Sequence, residues 1–311
     1  KINDIVTVKV ISSDNKGYDT QPRFSPDGKS IAWLSMERAG FEADKNKIVV
    51  LDLATKTLKE ITKDLDQSAD EMIWSPDSKT IYFASCTNAV HQLYAYAINA
   101  KTANLVKITN GLTDMGAISL ASDAKSTYLI ATKTSLSRPA EIVKVDVLKG
   151  KIETLTTTND ALYAGLKLGK VEKRMISTSD NKEMLTWVIY PPDFDPKKKY
   201  PTLLYCQGGP QGALSQFYSY RWNFQLMAAQ GYIIIAPNRR GMYGHGQAWN
   251  EQISKDWGGQ VMDDYLSAID DVSKESYVDK SRLGCIGASY GGYSVYYLAG
   301  IHNNRFKTFI S

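Results

Sequence analysis

The stretch RLGCIGASYGGYSV at residues 282–295 places a serine between two glycines, at the junction of two predicted elements. Residues 282–287 are largely apolar and predict a short buried strand, whereas 290–301 carry an aromatic and aliphatic face that predicts a helix. A serine at such a turn lies at the positive end of the helix dipole, where an oxyanion is favoured. The glycines on either side permit the tight backbone of a nucleophile elbow. Ser289 is therefore a candidate nucleophile, and the alternative is a polar residue in a tight turn.

Composition excludes several classes of protein. The chain has 311 residues, of which 43% are hydrophobic and 23% charged, and its net charge is +4. Basic and acidic residues are interspersed, so neither a nucleic-acid partner nor an anionic membrane surface is indicated. No apolar run approaches the length of a membrane span. A chain of this length exceeds one modest core, which predicts two domains.

Cysteine and histidine usage argues against a metal centre. Cys86, Cys206 and Cys285 lie far apart in apolar runs, which favours buried free thiols over a disulfide framework or a zinc site. The three histidines form no HExxH pair. The sequence therefore predicts neither a metal nor a cofactor.

The first half of the chain repeats. RFSPDGKSIAWLS at 23–35 returns as IWSPDSKTIYFAS at 73–85 and, in degenerate form, as SLASDAKSTYLIA at 119–131. Each copy is followed by a strand, a polar turn and another strand, and a period of 40 to 50 residues is typical of β-propeller blades. Residues 1–168 are thus predicted to be a partial propeller of about three blades, with further blades expected upstream of Lys1. An irregular β-sandwich is the alternative.

The pattern changes near residue 170. Residues 171–178 and 184–194 predict a hairpin, and the short apolar runs at 202–206, 232–237 and 282–287 fit strands covered on both faces. Helices are predicted at 222–229 and 260–273 between them. Residues 169–311 therefore predict the N-terminal part of an α/β-hydrolase domain with a doubly wound, mostly parallel sheet.

Several stretches together resemble the prolyl oligopeptidase family, in particular its branch of acylaminoacyl peptidases and dipeptidyl-peptidase 5-like enzymes. The similar stretches are GASYGGY at 287–293, GGP at 208–210, NRRG at 238–241, DWGG at 256–259 and SMERAGFEADKNKI at 35–48. The resemblance implies an α/β-hydrolase domain preceded by a β-propeller, both apparently incomplete in this chain. It also implies that the propeller shields the active site and admits oligopeptides rather than folded proteins.

The residues also fit the chemistry of amide hydrolysis, which needs a nucleophile and two donors aimed at the developing oxyanion. The N–H of Tyr290 is one candidate donor. Gly209, in the loop after the strand at 202–206, is the other. A phosphate-binding loop is disfavoured because no Lys-Ser or Lys-Thr follows these glycines. Gln207 departs from the family, whose related loops carry His or Tyr there, and this leaves backbone donors.

Substrate contacts are predicted at two places. Glu37 and Glu42 are candidates for binding the free α-amine of a peptide, and Arg38 for binding a carbonyl oxygen; the alternative is a solvated charged loop. Tyr293 is a candidate for an apolar specificity pocket. Further aromatic candidates share that pocket role, although core packing explains them equally well: Tyr290, Phe217, Tyr218, Tyr220 and Trp222.

The function expected first is a serine exopeptidase that releases dipeptides from the N-termini of oligopeptides. An acylaminoacyl peptidase or a carboxylesterase on the same fold is the second possibility, and a non-catalytic propeller scaffold is the third. The resemblance favours a periplasmic or secreted location, and a homodimer is possible.

The remaining triad members have no clear place in this chain. In α/β-hydrolases the order is Ser, Asp, His, yet only 22 residues follow Ser289. His302 lies 13 residues on, at the far end of the predicted helix, about 20 Å from its start at 1.5 Å per residue. His245 precedes the nucleophile in a glycine-rich segment. The expectation is that the catalytic Asp and His lie beyond Ser311 in a longer polypeptide.

Overall fold

The computed structural model describes residues 8–98, 105–122 and 126–311. In these residues the first part of the chain forms three antiparallel sheets of four strands each, and each sheet keeps the order of its strands in the sequence. We call them blades 1, 2 and 3. The strands are β1 (Asp19–Phe24), β2 (Ser30–Ser35), β3 (Lys47–Asp52) and β4 (Leu58–Glu60); β5 (Ala69–Trp74), β6 (Thr80–Thr87), β7 (Val90–Ala97) and β8 (Leu105–Lys107); and β9 (Asp114–Ser122), β10 (Thr127–Ser135), β11 (Arg138–Asp146) and β12 (Ile152–Thr154).

The repeated Ser-Pro-Asp sequence forms the turn between the first two strands of a blade. In blade 1 the Ser25 hydroxyl donates to the Asp27 carboxylate at 2.7 Å, and the N–H of Lys29 donates to the same carboxylate at 3.1 Å. Blade 2 repeats the contact between Ser75 and Asp77 at 2.6 Å. The serine hydroxyl holds the pKa of each aspartate below its ordinary value. The sequence repeats because each blade needs the same turn. The corresponding turn of the third copy, at 123–125, lies outside the described residues.

A second part follows a short helix. Its elements are α1 (Asp160–Tyr163), β13 (Val171–Ser177), β14 (Glu183–Ile189), β15 (Tyr200–Cys206), α2 (Phe224–Ala229), β16 (Ile233–Pro237), α3 (Gln247–Glu251), α4 (Gln260–Val272), β17 (Val278–Gly287), α5 (Tyr290–Ile301) and β18 (Thr308–Ile310). The expected boundary between 168 and 169 falls between α1 and β13. The short α3 was not predicted and occupies part of the glycine-rich segment around His245.

The six strands of this part form one sheet of order β13-β14-β16-β15-β17-β18. The predicted hairpin is its antiparallel edge, and β16, β15, β17 and β18 run parallel. Cys206, the last residue of β15, pairs with Gly287, the last residue of β17. Because these neighbouring strands end at the same level, the loops that follow them must meet at the carboxyl edge of the sheet.

Apolar layers cover both faces of the sheet. On one face α4 and α5 contribute side chains such as Met262, Ile269 and Leu298 to the core, against strand residues such as Leu204 and Ile235. On the other face α2 packs Phe224 and Ala228 against Trp187 and Ile234. Burial on both sides explains why the strands read as continuous apolar runs rather than alternating ones.

Each blade touches the second part of the chain with the same connection, the one between its second and third strands. Ala43 O of blade 1 accepts from the side-chain amides of Gln247 and Asn250, at 2.8 and 2.7 Å. In blade 2 the N–H of Asn88 donates to Gly244 O at 2.7 Å. In blade 3 the N–H of Leu136 donates to the Gln216 side chain at 3.2 Å. The repeats therefore supply three equivalent attachment points beside the carboxyl edge of the sheet.

Candidate active site

Ser289 lies in the sharp turn between β17 and α5. Its backbone has φ 58° and ψ −126°, in the left-handed half of conformational space that a serine adopts at a cost of order 1–3 kcal/mol. Hydrogen bonds from Gly291 N–H to Ala288 O and from Tyr293 N–H to Ser289 O hold the turn. The residue is exposed. An exposed serine on a strained turn at a helix N-terminus has the geometry of a nucleophile elbow.

Gly291, two residues after Ser289, is required on steric grounds. A Cβ atom on Gly291 would lie 2.1 Å from the carbonyl oxygen of Cys206 at the end of β15. The backbone of the elbow therefore passes against the neighbouring strand with no room for a side chain.

The loop at 207–210 is brought beside the elbow. A Cβ placed on Gly208 would lie 3.6 Å from Ser289 Cβ and 3.1 Å from Ala288 O, so this backbone lies beside the candidate nucleophile. Gly209 is exposed and has φ +137°. Tyr290, whose N–H is the other predicted donor, begins α5. The structure thus groups Ser289 with both segments that the sequence analysis singled out for the oxyanion.

Sequence reasoning missed Arg239. This residue stands in the NRRG stretch, is 0% exposed, and donates to the carbonyl oxygens of Gln207 and Pro210 at 3.0 and 2.8 Å. It thereby contacts the loop at 207–210 at both of its ends. The signal that could have found it is the NRRG stretch, which resembles the family and places two arginines directly after an apolar strand. No role for Arg239 follows from that stretch alone, because its partners lie elsewhere in the sequence.

Aromatic rings adjoin the elbow. Trp257 lies 5.5 Å from Tyr290 and 6.0 Å from Tyr293, ring centroid to ring centroid, and Tyr290 stacks on Tyr293 at 5.6 Å. The Tyr290 hydroxyl donates to Trp257 O at 2.8 Å. Tyr293 and Trp257 remain 40% and 49% exposed. Tyr293, predicted for substrate binding, is therefore part of an exposed aromatic surface one helical turn from Ser289.

Both parts of the chain match known families. Residues 218–311 match the prolyl oligopeptidase family, and residues 1–162 match the TolB beta propeller domain. Dipeptidyl-peptidase 5 of Porphyromonas gingivalis is 50% identical over 301 residues, which are 97% of this chain and 43% of that protein.

The chain belongs to the prolyl oligopeptidase family. Dipeptidyl-peptidase 5 of Schizosaccharomyces pombe is 30% identical over 291 residues, or 93% of this chain and 41% of that protein. A solved acylaminoacyl peptidase in complex with Z-Gly-Gly-Phe-chloromethyl ketone superposes with a TM-score of 0.78 at 25% identity, over 90% of this chain and 42% of that one. The predicted resemblance and the predicted fold, a propeller followed by an α/β-hydrolase domain, are confirmed. The chain spans about two fifths of the length of these relatives.

The charged loop of blade 1 is tied to the hydrolase domain. The Arg38 guanidinium forms an ion pair with Asp44, contacts Glu251 at 2.7 Å and lies 3.9 Å from the centre of the Phe41 ring. Hydrogen bonds to Asp44 and Glu251 raise the pKa of Arg38 above its ordinary value. The Nε and Nη2 donors of Arg38, which could otherwise bind a substrate carbonyl oxygen, are thus already engaged by these carboxylates.

The two candidate amine-binding carboxylates differ in their surroundings. Glu37 is exposed and contacts the Lys47 ammonium at 3.1 Å. Glu42 is exposed as well. Neither is buried, so each is accessible to a peptide that enters beside blade 1.

In the part of the chain that the structure describes, the contacts of the three histidines are with residues other than Ser289. His302 caps the far end of α5, and its Nδ1 accepts from Phe306 N–H at 3.2 Å. His245 lies beside the attachment point of blade 2, where burial and the charge of Lys173 lower its pKa to about 4. In blade 2, His91 sits between Asp114 and Asp70; burial opposes its charge, but these carboxylates raise its pKa to about 10. We assign no general base among the described residues.

The other predicted aromatic residues form a separate group. Trp222 packs on Tyr205 at 5.5 Å, and Tyr218 lies 5.1 Å from Tyr220. The Tyr218 hydroxyl accepts hydrogen bonds from Tyr163 and from the Asn223 side chain. In the described residues these rings make no ring contact with the group around Tyr293. Phe217 is partly buried against the core of the second face.

The predicted free thiols are confirmed, since all three cysteines are unbonded and buried. Burial raises the pKa of the Cys285 thiol to about 12, which leaves it unreactive at neutral pH. Among the described residues there is no group of three or more acidic, histidine or cysteine side chains suited to a metal. In the same part of the chain, no helix has both the length and the hydrophobicity to cross a bilayer.

Proposed function

We propose that the protein containing this chain is a serine peptidase that releases dipeptides from the N-termini of oligopeptides, and that Ser289 is its nucleophile. The observation that carries the proposal is the exposed, strained serine at the start of α5, with the backbone of Gly208 beside it. The relatives named dipeptidyl-peptidase 5 support the exopeptidase assignment.

The proposed reaction proceeds through an acyl-enzyme. Ser289 Oγ attacks the scissile carbonyl carbon, its proton passes to a general base, and the carbonyl oxygen becomes an oxyanion. The N–H groups of Tyr290 and Gly209 donate to that oxyanion, helped by the positive end of α5. The amine product leaves with a proton, and water then hydrolyses the ester to release the dipeptide. Gln207 offers no tyrosine hydroxyl, so we assign no side-chain oxyanion donor.

Access to the site favours peptides over folded proteins. The three blade connections attach beside the carboxyl edge of the sheet, through Ala43, Asn88 and Leu136. Ser289 lies at that same edge, so the blades and the nucleophile are on the same side of the sheet. We propose on this ground that the propeller restricts access and that the substrate is an extended oligopeptide.

Glu37 and Glu42 remain the proposed anchors for the free α-amine. Replacing either anchor by Gln is expected to lower kcat/KM for a dipeptidyl substrate with a free amine by at least about tenfold, because a charge-assisted hydrogen bond is lost. The same change should leave an N-acetylated substrate within about twofold of wild type. Parallel kinetics on the two substrates measure this.

Glu60→Gln is the matched control. Glu60 approaches the same lysine as Glu37, at 3.9 Å from Lys47 Nζ, but belongs to the outer strand of blade 1. The Glu60→Gln variant should leave kcat/KM unchanged for both the free-amine and the N-acetylated substrate. If Glu37→Gln and Glu42→Gln each impair both substrates equally, the loop has only a structural role.

An acylaminoacyl peptidase is the second candidate, favoured by the superposition on a solved enzyme of that name. Comparison of free-amine with N-acetylated peptides in the wild-type protein separates the two activities. A fluorophosphonate probe tests whether there is any catalysis at all, because only an activated serine reacts with it. A protein whose Ser289 is not labelled would be a non-catalytic scaffold.

A further inference from the structure

Arg239 is a buried cation without an acidic partner. It is 0% exposed, and no carboxylate of the described residues lies within 4.0 Å of its guanidinium. Its neighbour Arg240 is equally buried but forms an ion pair with Asp264 and contacts Asp180 at 2.6 Å. Burial of a charge is costly unless its donors are satisfied. The uncharged groups that satisfy Arg239 therefore indicate what it holds in place.

The donors of Arg239 end on the loop beside the nucleophile. Nη2 donates to Gln207 O at 3.0 Å, and Nη1 donates to Pro210 O at 2.8 Å and to Arg240 O at 2.6 Å. Nε donates to the Tyr265 hydroxyl at 3.0 Å. One planar group therefore fixes the carbonyls on both sides of Gly208 and Gly209.

These hydrogen bonds fix the orientation of peptide planes. In a trans peptide the N–H points opposite to the C=O, so a Gln207 carbonyl turned toward Arg239 directs the N–H of Gly208 away from it. The Pro210 carbonyl fixes a second plane in the same way. The two fixed planes bracket Gly209, whose backbone has φ +137° and would otherwise be free to change.

The same guanidinium also touches the other half of the site. It lies 4.8 Å from the centre of the Tyr290 ring, and Tyr290 supplies the second proposed oxyanion donor. The space around it is closed, since a Cβ on Gly241 would lie 2.8 Å from Nη1. Arg239 is thus in contact with both segments that must keep a fixed separation around the oxyanion.

We propose that Arg239 is a positioning residue that holds the loop 207–210 in the geometry needed to stabilise the oxyanion. The inference rests on the proposed peptidase function and deepens it, because it assigns a device that acts in the transition state without touching substrate. A loop freed from Arg239 would still admit peptide but would present its N–H groups poorly.

Replacement of Arg239 by Met in the full-length protein is expected to lower kcat by about ten- to a hundredfold, the scale of an ångström-size misplacement, with KM changed by less than about twofold. The inhibition constant of a peptide boronic acid, which forms a tetrahedral adduct, should rise by the same factor as kcat/KM falls. Inhibition by the dipeptide product should not change. Arg239→Lys keeps the charge but lacks the planar group that holds both carbonyls. Its kcat should therefore lie between that of wild type and that of Arg239→Met.

Arg240→Met is the matched control, because it removes the adjacent buried arginine, whose partners are acidic residues. It should lower Tm, measured by thermal unfolding, without a selective loss of boronic acid affinity. Tyr265→Phe removes an acceptor from Arg239 and leaves both the charge and the loop in place. The Tyr265→Phe variant should lower kcat severalfold. If Arg239→Met does not fold, Tyr265→Phe tests the positioning role of Arg239 in its place.

The outcomes separate this inference from the function on which it rests. A wild-type protein that hydrolyses no peptide would overturn the proposed function. Two results in an active wild type would overturn the role of Arg239 alone. One is that Arg239→Met leaves kcat and boronic acid affinity unchanged. The other is that Arg239→Lys and Tyr265→Phe both leave kcat unchanged.

Discussion

Ser289→Ala in the full-length protein is expected to lower kcat for peptide hydrolysis by about 10⁶-fold, the scale seen when a triad serine is removed elsewhere. The hydroxyl oxygen is the attacking atom, so no neighbouring group can replace it. Folding should be unaffected because alanine adds no atom to the turn and accepts the same φ of 58° about as well as serine does. Initial rates on a free-amine dipeptidyl substrate measure the loss, and thermal unfolding checks the fold.

Ser294→Ala provides the control for this variant. Ser294 lies one turn further along α5, is buried, and donates its hydroxyl to Tyr290 O at 2.9 Å. It should retain fluorophosphonate labelling, whereas Ser289→Ala should lose it. A Ser289→Ala protein with a rate near wild type would show that the nucleophile is elsewhere.

The elbow could be predicted from the sequence because its requirements are local. The predicted helix at 290–301 has the same bounds as α5, and the apolar run at 282–287 is the second half of the longer β17. Gly291 is needed because a side chain would strike Cys206 O, and such a requirement is visible in the sequence as a glycine at a fixed offset from the serine. The blades could be predicted for the same reason, since the turn between Ser25 and Asp27 is built from neighbouring residues.

The contacts that set the site's geometry could not be predicted. Arg239 reaches Gln207 across 32 residues, and Arg38 reaches Glu251 across 213. No periodicity in either segment indicates its partner, because these partners are brought together by the tertiary fold and not by the local sequence. The loop containing Glu37 and Arg38 was predicted for substrate binding from its resemblance and charge, yet part of its charge joins the two domains. The assignments of Glu37, Glu42 and Tyr293 stay predictions.

The oxyanion loop offers the second large effect. Gly209→Ala is expected to lower kcat by about 10²- to 10³-fold, the cost of losing one oxyanion donor. Two features of Gly209 make even a methyl group disruptive. Its φ of +137° is one that residues with a Cβ rarely adopt, and that Cβ would lie 2.4 Å from Gln211 O and 2.7 Å from Gln211 N. The loop must therefore shift, and its N–H groups leave the position that the oxyanion occupies.

Gly212→Ala separates loss of the donor from general damage to this loop. A Cβ on Gly212 meets nothing within 4 Å, so the substitution should leave kcat within about twofold of wild type. In Gly209→Ala the loss should fall on kcat and on boronic acid affinity, with KM little changed, because the donor acts only on the tetrahedral species. A different result would be a folded Gly209→Ala protein with normal kcat alongside an Arg239→Met protein with lowered kcat. The loop would then still need Arg239, but a different N–H would donate to the oxyanion. Gly208, whose backbone lies beside Ser289, would then be the donor to test.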